Sequence, residues 1–326
     1  MAAVFRGQDF MKFNPHTDKH IVVKYHYVEN PRHDRAGIHP CPVNEFERQI
    51  VFLKKNFKIT SVPEVFRAAR AKSSEKMCAL TFDDGLKDNY LNVAPLLKKH
   101  GLTATFFPIT KTWEGFLPAT HRIHLLLSLE SAGNLTDLFN SFLRSSFPKL
   151  SDSFFVPKNK RMTQRRKIYD DVITANFKET MNLVPRTVRD SFLGALLFDM
   201  KVDEKGWARE LFMSPREIKG LRDYGHSIGS HGHYHDAFDM LDEQSILADI
   251  RVSKKLLEET TQVPVDIFAY PQSSPRDEIG HLLAEEQIAY ALTTEKQQVA
   301  GNVNHFHIPR YDTNDIRDFL NNPKTR

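Results

Sequence analysis

Short β-rich runs alternating with helical patterns restrict this chain to few folds. Residues 21–28 (IVVKYHYV) read as a strand, and 44–56 (NEFERQIVFLKKN) carry apolar residues at helical spacing. Residues 76–82 (KMCALTF) read as a buried strand. Residues 89–100 form a predicted helix closed by Gly101 as its C-terminal cap, and 103–109 (TATFFPI) a further strand. After an interruption the rhythm resumes with a helix over 214–224. It opens on Ser214-Pro215-Arg216-Glu217, a capping-box pattern with proline at the first helical position. A strand at 226–230, a helix at 242–260, a strand at 265–270, a helix at 275–286 and a strand at 289–293 follow. This alternation predicts an α/β fold with a mostly parallel sheet, open or closed as a barrel.

The interruption, residues 111–212, reads as helices at 120–131, 134–145, 162–180 and 186–200. An ordinary connection takes about 4–6 residues, so this is a helical insertion into the α/β unit. The expected organisation is an N-terminal extension at 1–19, the α/β unit at 20–110 and 213–315, the insertion at 111–212 and a tail at 316–326. The insertion holds a basic cluster, Lys158, Lys160, Arg161, Arg165, Arg166 and Lys167. Two readings stand: a solvated helix surface, or a contact for a phosphate-bearing or anionic carrier.

Composition excludes several classes. A chain of 326 residues, 40% hydrophobic and 26% charged, can bury a core without staples. Its two cysteines, Cys41 and Cys78, make no disulfide framework. The net charge of +4 is spread out, against a nucleic-acid binder, for which a concentrated basic footprint is expected. The first twenty residues carry no continuous apolar h-region, and no run approaches the roughly 18 apolar residues of a membrane span. The expectation is a cytoplasmic protein without a transmembrane segment, with peripheral membrane contact left open.

Two segments carry chemistry. Thr81-Phe82-Asp83-Asp84-Gly85 follows an apolar strand, at the end where α/β folds place ligands. Alone, Asp-Asp-Gly is an ordinary turn. The segment from Gly225 to Asp236 holds four histidines, and His231 and His235 stand four apart, a spacing that lets both reach one metal ion. Two histidines plus one acid of the pair make the ligand set of a catalytic divalent site with an open position for water. One aspartate then coordinates the cation and the other is free to act as general base on a metal-bound water.

Thr81–Gly85 and His231–His235 resemble the first two motifs of the polysaccharide deacetylase (NodB-homology, carbohydrate esterase family 4) superfamily. The resemblance implies Asp83 as base and Asp84, His231 and His235 as metal ligands. Gly232 stands where the family carries serine or threonine, which predicts a weaker supporting hydrogen bond. Phe268-Ala269-Tyr270-Pro271 resembles the third motif of the "FAYP" branch, which implies Tyr270 and Pro271 at the substrate and an oxyanion-binding backbone N–H near Tyr270. Arg310, in His307-Ile308-Pro309-Arg310, is similar to an "LPR" segment of that branch, implying that it holds Asp83. Lys24-Tyr25-His26-Tyr27 matches a first-strand "YH" pattern, placing His26 at the pocket or in the core. The family's late "L-x-H" general acid has no clear counterpart; His305 and His307 lie in the right region, and His307 is the choice. His226 and His233 are expected as spectators or rim residues.

The resemblance implies an irregular (β/α)7-type barrel with a helical insertion. It also implies a metal-dependent N-deacylase, acetyl before formyl, acting on an N-acylated amino sugar or its nucleotide- or lipid-linked precursor. Zinc best fits the ligand set, although another divalent ion would serve. A related amidase on a non-sugar amide or imide and a non-catalytic glycan-binding barrel are the alternatives. The insertion reads as a lid, a dimer surface, a membrane-facing platform or extra packing.

Overall fold

The computed structural model describes residues 12–163, 170–272 and 277–322. Most of the N-terminal extension, Arg165, Arg166 and Lys167 of the basic cluster, the start of the predicted 275–286 helix and the last four residues lie outside the described residues. The chain forms two compact units. One comprises Met1–Asn30, Cys41–Glu114 and Arg209–Arg326, and the other Pro31–Pro40 and Gly115–Ala208.

The first unit begins with β1 (His20–Tyr25), α1 (Val43–Asn56), β2 (Lys58–Ile59), α2 (Val62–Arg70) and β3 (Met77–Phe82). A π turn, Asn89–Val93, then runs into α3 (Ala94–His100), which Gly101 closes in the left-handed conformation (φ 64°), before β4 (Thr105–Phe106). Six helices follow: α4 (Ala119–Leu129), α5 (Ala132–Ser146), α6 (Pro148–Phe154), α7 (Val172–Leu183), α8 (Arg186–Asp199) and α9 (Glu204–Leu211). The rhythm then returns with α10 (Pro215–Asp223), β5 (Ser227–Ile228), α11 (Glu243–Thr261), β6 (Ile267–Ala269), α12 (Gly280–Glu285), β7 (Tyr290–Leu292), β8 (Tyr311–Asp312) and α13 (Thr313–Asn321).

Among the described residues the named strands all pair in parallel, and with single bridges they close into a ring. β8, β1, β3, β4 and β5 are neighbours in that order. Ser230 bridges to Phe268 of β6, β6 pairs β7, and Leu292 bridges to Ile308, three residues before β8. β2 caps the lower edge of β3. The result is an irregular (β/α) barrel, with single bridges where a regular barrel would have full ladders.

Several strands are shorter than their sequence patterns. The 21–28 run leaves the sheet at Tyr25 because side chains take over its backbone. Asn89 Nδ2 donates to the His26 carbonyl (2.9 Å) and the Val28 N–H donates to Asp88 Oδ2 (2.8 Å). Of the predicted 162–180 helix, α7 begins at Val172, where Asp171 caps it by accepting from the Thr174 N–H (2.8 Å); at the other end of that span the Met162 N–H donates to Asn176, and residues 164–169 lie outside the described residues.

Alternation along the strands sorts the core. Ile21, Val23, Tyr25, Leu80, Phe82 and Phe106 face outward onto Phe46, Ile50 and Leu53 of α1 and Leu97 of α3. There Tyr25, Phe82 and Phe106 stack in series at 5.1 and 4.9 Å, contacts worth about 0.5–1.5 kcal/mol each beyond their burial. Val22, Ala79, Phe107, Ala269, Leu292 and Ile308 form an apolar floor inside, joined by Val62, Val65 and Ala69 of α2. Above that floor the buried inward positions turn polar: Lys24, Thr81, Asp83, Thr293 and Arg310.

The second unit is helical. α5 packs on α6 and α7, and α4 on α8. Phe139 of α5 meets Phe192 of α8 edge-on at 5.0 Å, and Arg35 stacks over Trp207 at 5.5 Å. Among the described residues no helix is long and apolar enough to cross a membrane.

Candidate metal centre

β3 ends by donating the Asp83 N–H to the Tyr25 carbonyl (3.0 Å). The next two residues are both left-handed, Asp84 at φ 70° and Gly85 at φ 73°. Aspartate tolerates that region better than most residues. At Gly85 a Cβ would also come 2.7 Å from the Pro108 side chain, so glycine is required. This sharp reversal leaves two consecutive carboxylates buried at the C-terminal end of the barrel.

The two aspartates have different surroundings. Arg310, fully buried, grips Asp83 with both terminal nitrogens, Nη1 to Oδ1 at 2.7 Å and Nη2 to Oδ2 at 2.9 Å. Its Nε donates to the Thr293 carbonyl (3.0 Å), which fixes the fork. Burial alone would raise the pKa of Asp83; Arg310, His231 and His26 outweigh it and hold the carboxyl down at about 2. Asp84 instead faces imidazoles. Its Oδ1 lies 3.4 Å from His231 Nε2 and 3.3 Å from His235 Nε2.

The histidines are aimed by their loop. His231 Nδ1–H donates to the Ala269 carbonyl (2.7 Å), so Nε2 is the atom presented to Asp84. Gly232 (φ 78°) and His235 (φ 64°) bend the loop back on itself. Asp249, buried on α11, accepts the N–H groups of His233 (2.8 Å) and Tyr234 (2.9 Å). A Cβ on residue 232 would come 2.5 Å from Asp249 Oδ1, so the position that departs from the family pattern is occupied by the residue this loop needs. The Gly232 N–H donates to Ser230 Oγ (3.1 Å), itself 2.6 Å from Ser253 Oγ.

The donor set fits a divalent ion. Asp84, His231 and His235 each offer one ligand atom, all within 4.8 Å of one another and all buried. Ligands about 2.0–2.1 Å from a tetrahedral zinc stand about 3.3–3.4 Å apart, matching the two Asp84–histidine separations. Burial opposes charge on His231, yet Asp84 and Asp83 raise its pKa, so the pocket is arranged to hold positive charge between these groups.

The remaining predicted residues fall at different depths. His26 Nε2 lies 3.8 Å from Asp83 Oδ2, with the side chain 39% exposed, so it is on the open side of the base rather than in the core. Pro271 is buried against Gly232. The Tyr270 ring packs among Phe238 and Phe268, and its N–H donates to the Leu292 carbonyl (3.0 Å). Tyr270 therefore gives its own N–H to the barrel, Pro271 has none, and Gln272 (φ 60°) is the first beyond the strand that carries one. His307 sits 6.1 Å from the Tyr270 ring, while His305 is exposed and donates to the Ala289 carbonyl (2.7 Å). His226 is buried edge-on to Phe106, and burial lowers its pKa. His233 bonds Thr110 Oγ1 (2.8 Å).

Asp249, Lys24 and Gln272 belong to the surroundings of the centre without having been singled out in the sequence. Asp249 had a signal: an acid on the stripe Ile246, Ile250, Ser253, Leu257 that α11 turns inward. Lys24 had one too, a lysine at an inward strand position, with Nζ 3.9 Å from Asp312 Oδ2.

Residues 70–133 and 166–291, more than half of the chain, match the profile of the family described as polysaccharide deacetylase. YxkH of Bacillus subtilis (strain 168), which bears the name of a polysaccharide deacetylase, is 35% identical over 94 residues. That alignment takes in 28% of this chain and 32% of the relative, about a third of its length. Among solved structures, the fold is similar to the Streptococcus pyogenes deacetylase PplD in complex with acetate. The TM-score is 0.57 at 14% identity, over 93% of this chain and 98% of that one. IcaB from Ammonifex degensii is similar at TM-score 0.54 and 15% identity, covering 90% and 91% of the two chains.

Proposed function

The chain belongs to the polysaccharide deacetylase family, and from that premise we propose that it hydrolyses the N-acetyl group of an amino-sugar residue at the Asp83–Asp84–His231–His235 centre. The observation that carries this is the division between two adjacent carboxylates. Asp84 converges with two histidines on one point, while Asp83 is turned away from them onto Arg310. Asp84, His231 and His235 would hold a divalent ion, zinc by its donor set, which when bound supplies Lewis-acid polarisation of an acyl carbonyl and acidifies a water.

Asp83 takes the proton of the attacking water. Arg310 keeps it ionised and fixes both of its oxygens, so the carboxylate does not have to reorganise as it accepts the proton. His26 protonates the departing amine. It is solvent-accessible and lies across from Asp83, whereas His307 stands against the Tyr270 ring. The oxyanion is met by a backbone N–H past the strand end, for which Gln272 is the candidate because Tyr270 and Pro271 have none to give.

The test is acetate release from N-acetylglucosamine oligomers and from a nucleotide-linked N-acetylamino sugar, with metal content measured in parallel. Chelation should abolish turnover and divalent metal should restore it. Asp83→Asn should keep the metal and lose roughly 10²–10⁴-fold in kcat. His26→Asn should lower kcat with little change in KM, with His307→Asn as its control. Metal-loaded protein that releases no acetate, or an Asp83→Asn variant at parental rate, would sink the proposal.

A further inference from the structure

A buried amide side chain is costly unless its polar groups are bonded. The helical unit buries two asparagines, and both hold the same irregular stretch of chain. Asn140 accepts from the Val156 N–H (2.9 Å) and donates to the Val156 carbonyl (3.1 Å). Asn176 donates to the carbonyls of Pro157 (2.6 Å) and Lys160 (2.8 Å) and accepts from the Met162 N–H (2.8 Å). Residues 156–162 are therefore pinned from both sides without being helix or strand.

Between this stretch and α5 lies a cavity of about 380 Å³ whose lining includes Asp137, Arg144, Phe155, Lys158 and Lys160. Lys158 Nζ sits 2.6 Å from Asp137 Oδ2 and neutralises the one acid. Arg144 and Lys160 remain in surplus. The Arg144 guanidinium is stacked 5.8 Å from the half-exposed Phe155 ring, and among the described residues only its Nε is hydrogen-bonded, to the Asn140 carbonyl (3.3 Å). Lys160 is exposed, with no acidic partner among the described residues. The family profile breaks between residues 133 and 166, so every lining residue falls outside the part of the chain that matches it.

We propose that this cavity binds a phosphate group carried on an organic molecule, with Arg144 and Lys160 as its cationic contacts. Two surplus positive charges, one of them a planar fork held over a ring, suit a dianion. The volume exceeds what inorganic phosphate alone would fill. The pinned loop means little ordering remains to oppose binding.

Calorimetry on the full chain tests this with three probes: uridine 5′-diphosphate, inorganic phosphate, and phosphatidic acid vesicles in a phosphatidylcholine background. Chelator is present throughout, so that no phosphate is taken up at a metal. Saturable binding of the nucleotide or of the vesicles, tighter than that of inorganic phosphate, is expected. It should weaken with salt and fall roughly tenfold or more in Arg144→Gln/Lys160→Gln. Nucleotide binding points to a soluble organophosphate, and binding to vesicles alone to a lipid headgroup. Both replaced side chains are exposed, and an unchanged melting temperature would show that the fold persists. Absence of binding to all three probes, or equal affinity in the double variant, overturns the proposal. Neither readout involves acetate release, so it stands or falls apart from the deacetylase reading.

Discussion

The barrel unit and the helical unit both bury charged and amide side chains, but they use them differently. In the helical unit they are satisfied close to home: Lys178 Nζ meets Asp170 at 2.8 Å, and Asn140 and Asn176 close onto backbone. In the barrel, Asp84, His231 and His235 each turn one potential ligand atom towards a common point, all within 4.8 Å of one another. Buried polarity alone does not mark a centre of chemistry; convergence of like-natured donor atoms does.

Breaking the buried ion pair in each unit tests that contrast most strongly. Arg310→Met and Lys178→Met each remove the nearest cation from a buried carboxylate, and each should cost about 3–5 kcal/mol in denaturant unfolding. Only Arg310→Met should also lower kcat well beyond its effect on the folded fraction. Equal activity loss in both would erase the distinction.

Acid titration sharpens it next. The folded-state pKa of Asp83, about 2, lies below the ordinary aspartate value of about 3.9. A depressed folded-state pKa gives stability that is complete above the unfolded value and lost as pH falls from about 4 through 2. Melting curves should therefore show the parent losing about 2 kcal/mol more than Asp83→Asn across that window.

Gly232→Ala probes the loop that aims the histidines. Its left-handed backbone and the approach to Asp249 predict a loss of about 1–3 kcal/mol, with weaker metal retention on dialysis. The smallest effect belongs to the surface of the helical unit. The Lys158–Asp137 pair is solvent-exposed, so Lys158→Ala should change stability by less than about 1 kcal/mol and leave acetate release unchanged.

The alternation of β and helical periods and the Asp83-Asp84-Gly85 and His231–His235 motifs were legible in the residues alone. Periodicity and motif spacing are local, so a linear reading recovers them. Strand lengths were not legible, because Asp88 and Asn89 decide where β1 stops by bonding its backbone from another segment. At the start of α7 it is likewise a side chain, that of Asp171, that caps the helix.

By itself, then, the sequence determined an interrupted α/β rhythm and the chemical types gathered at its motifs. Tertiary structure decided their partnerships: that Arg310 reaches Asp83 across 227 residues, that His26 faces the base while His307 lies beside Tyr270, and that Asp249 holds the histidine loop. The physical reason is closure. Only when parallel strands pair around a ring do segments far apart in the chain bring their C-terminal ends to one place, and no local pattern carries that register.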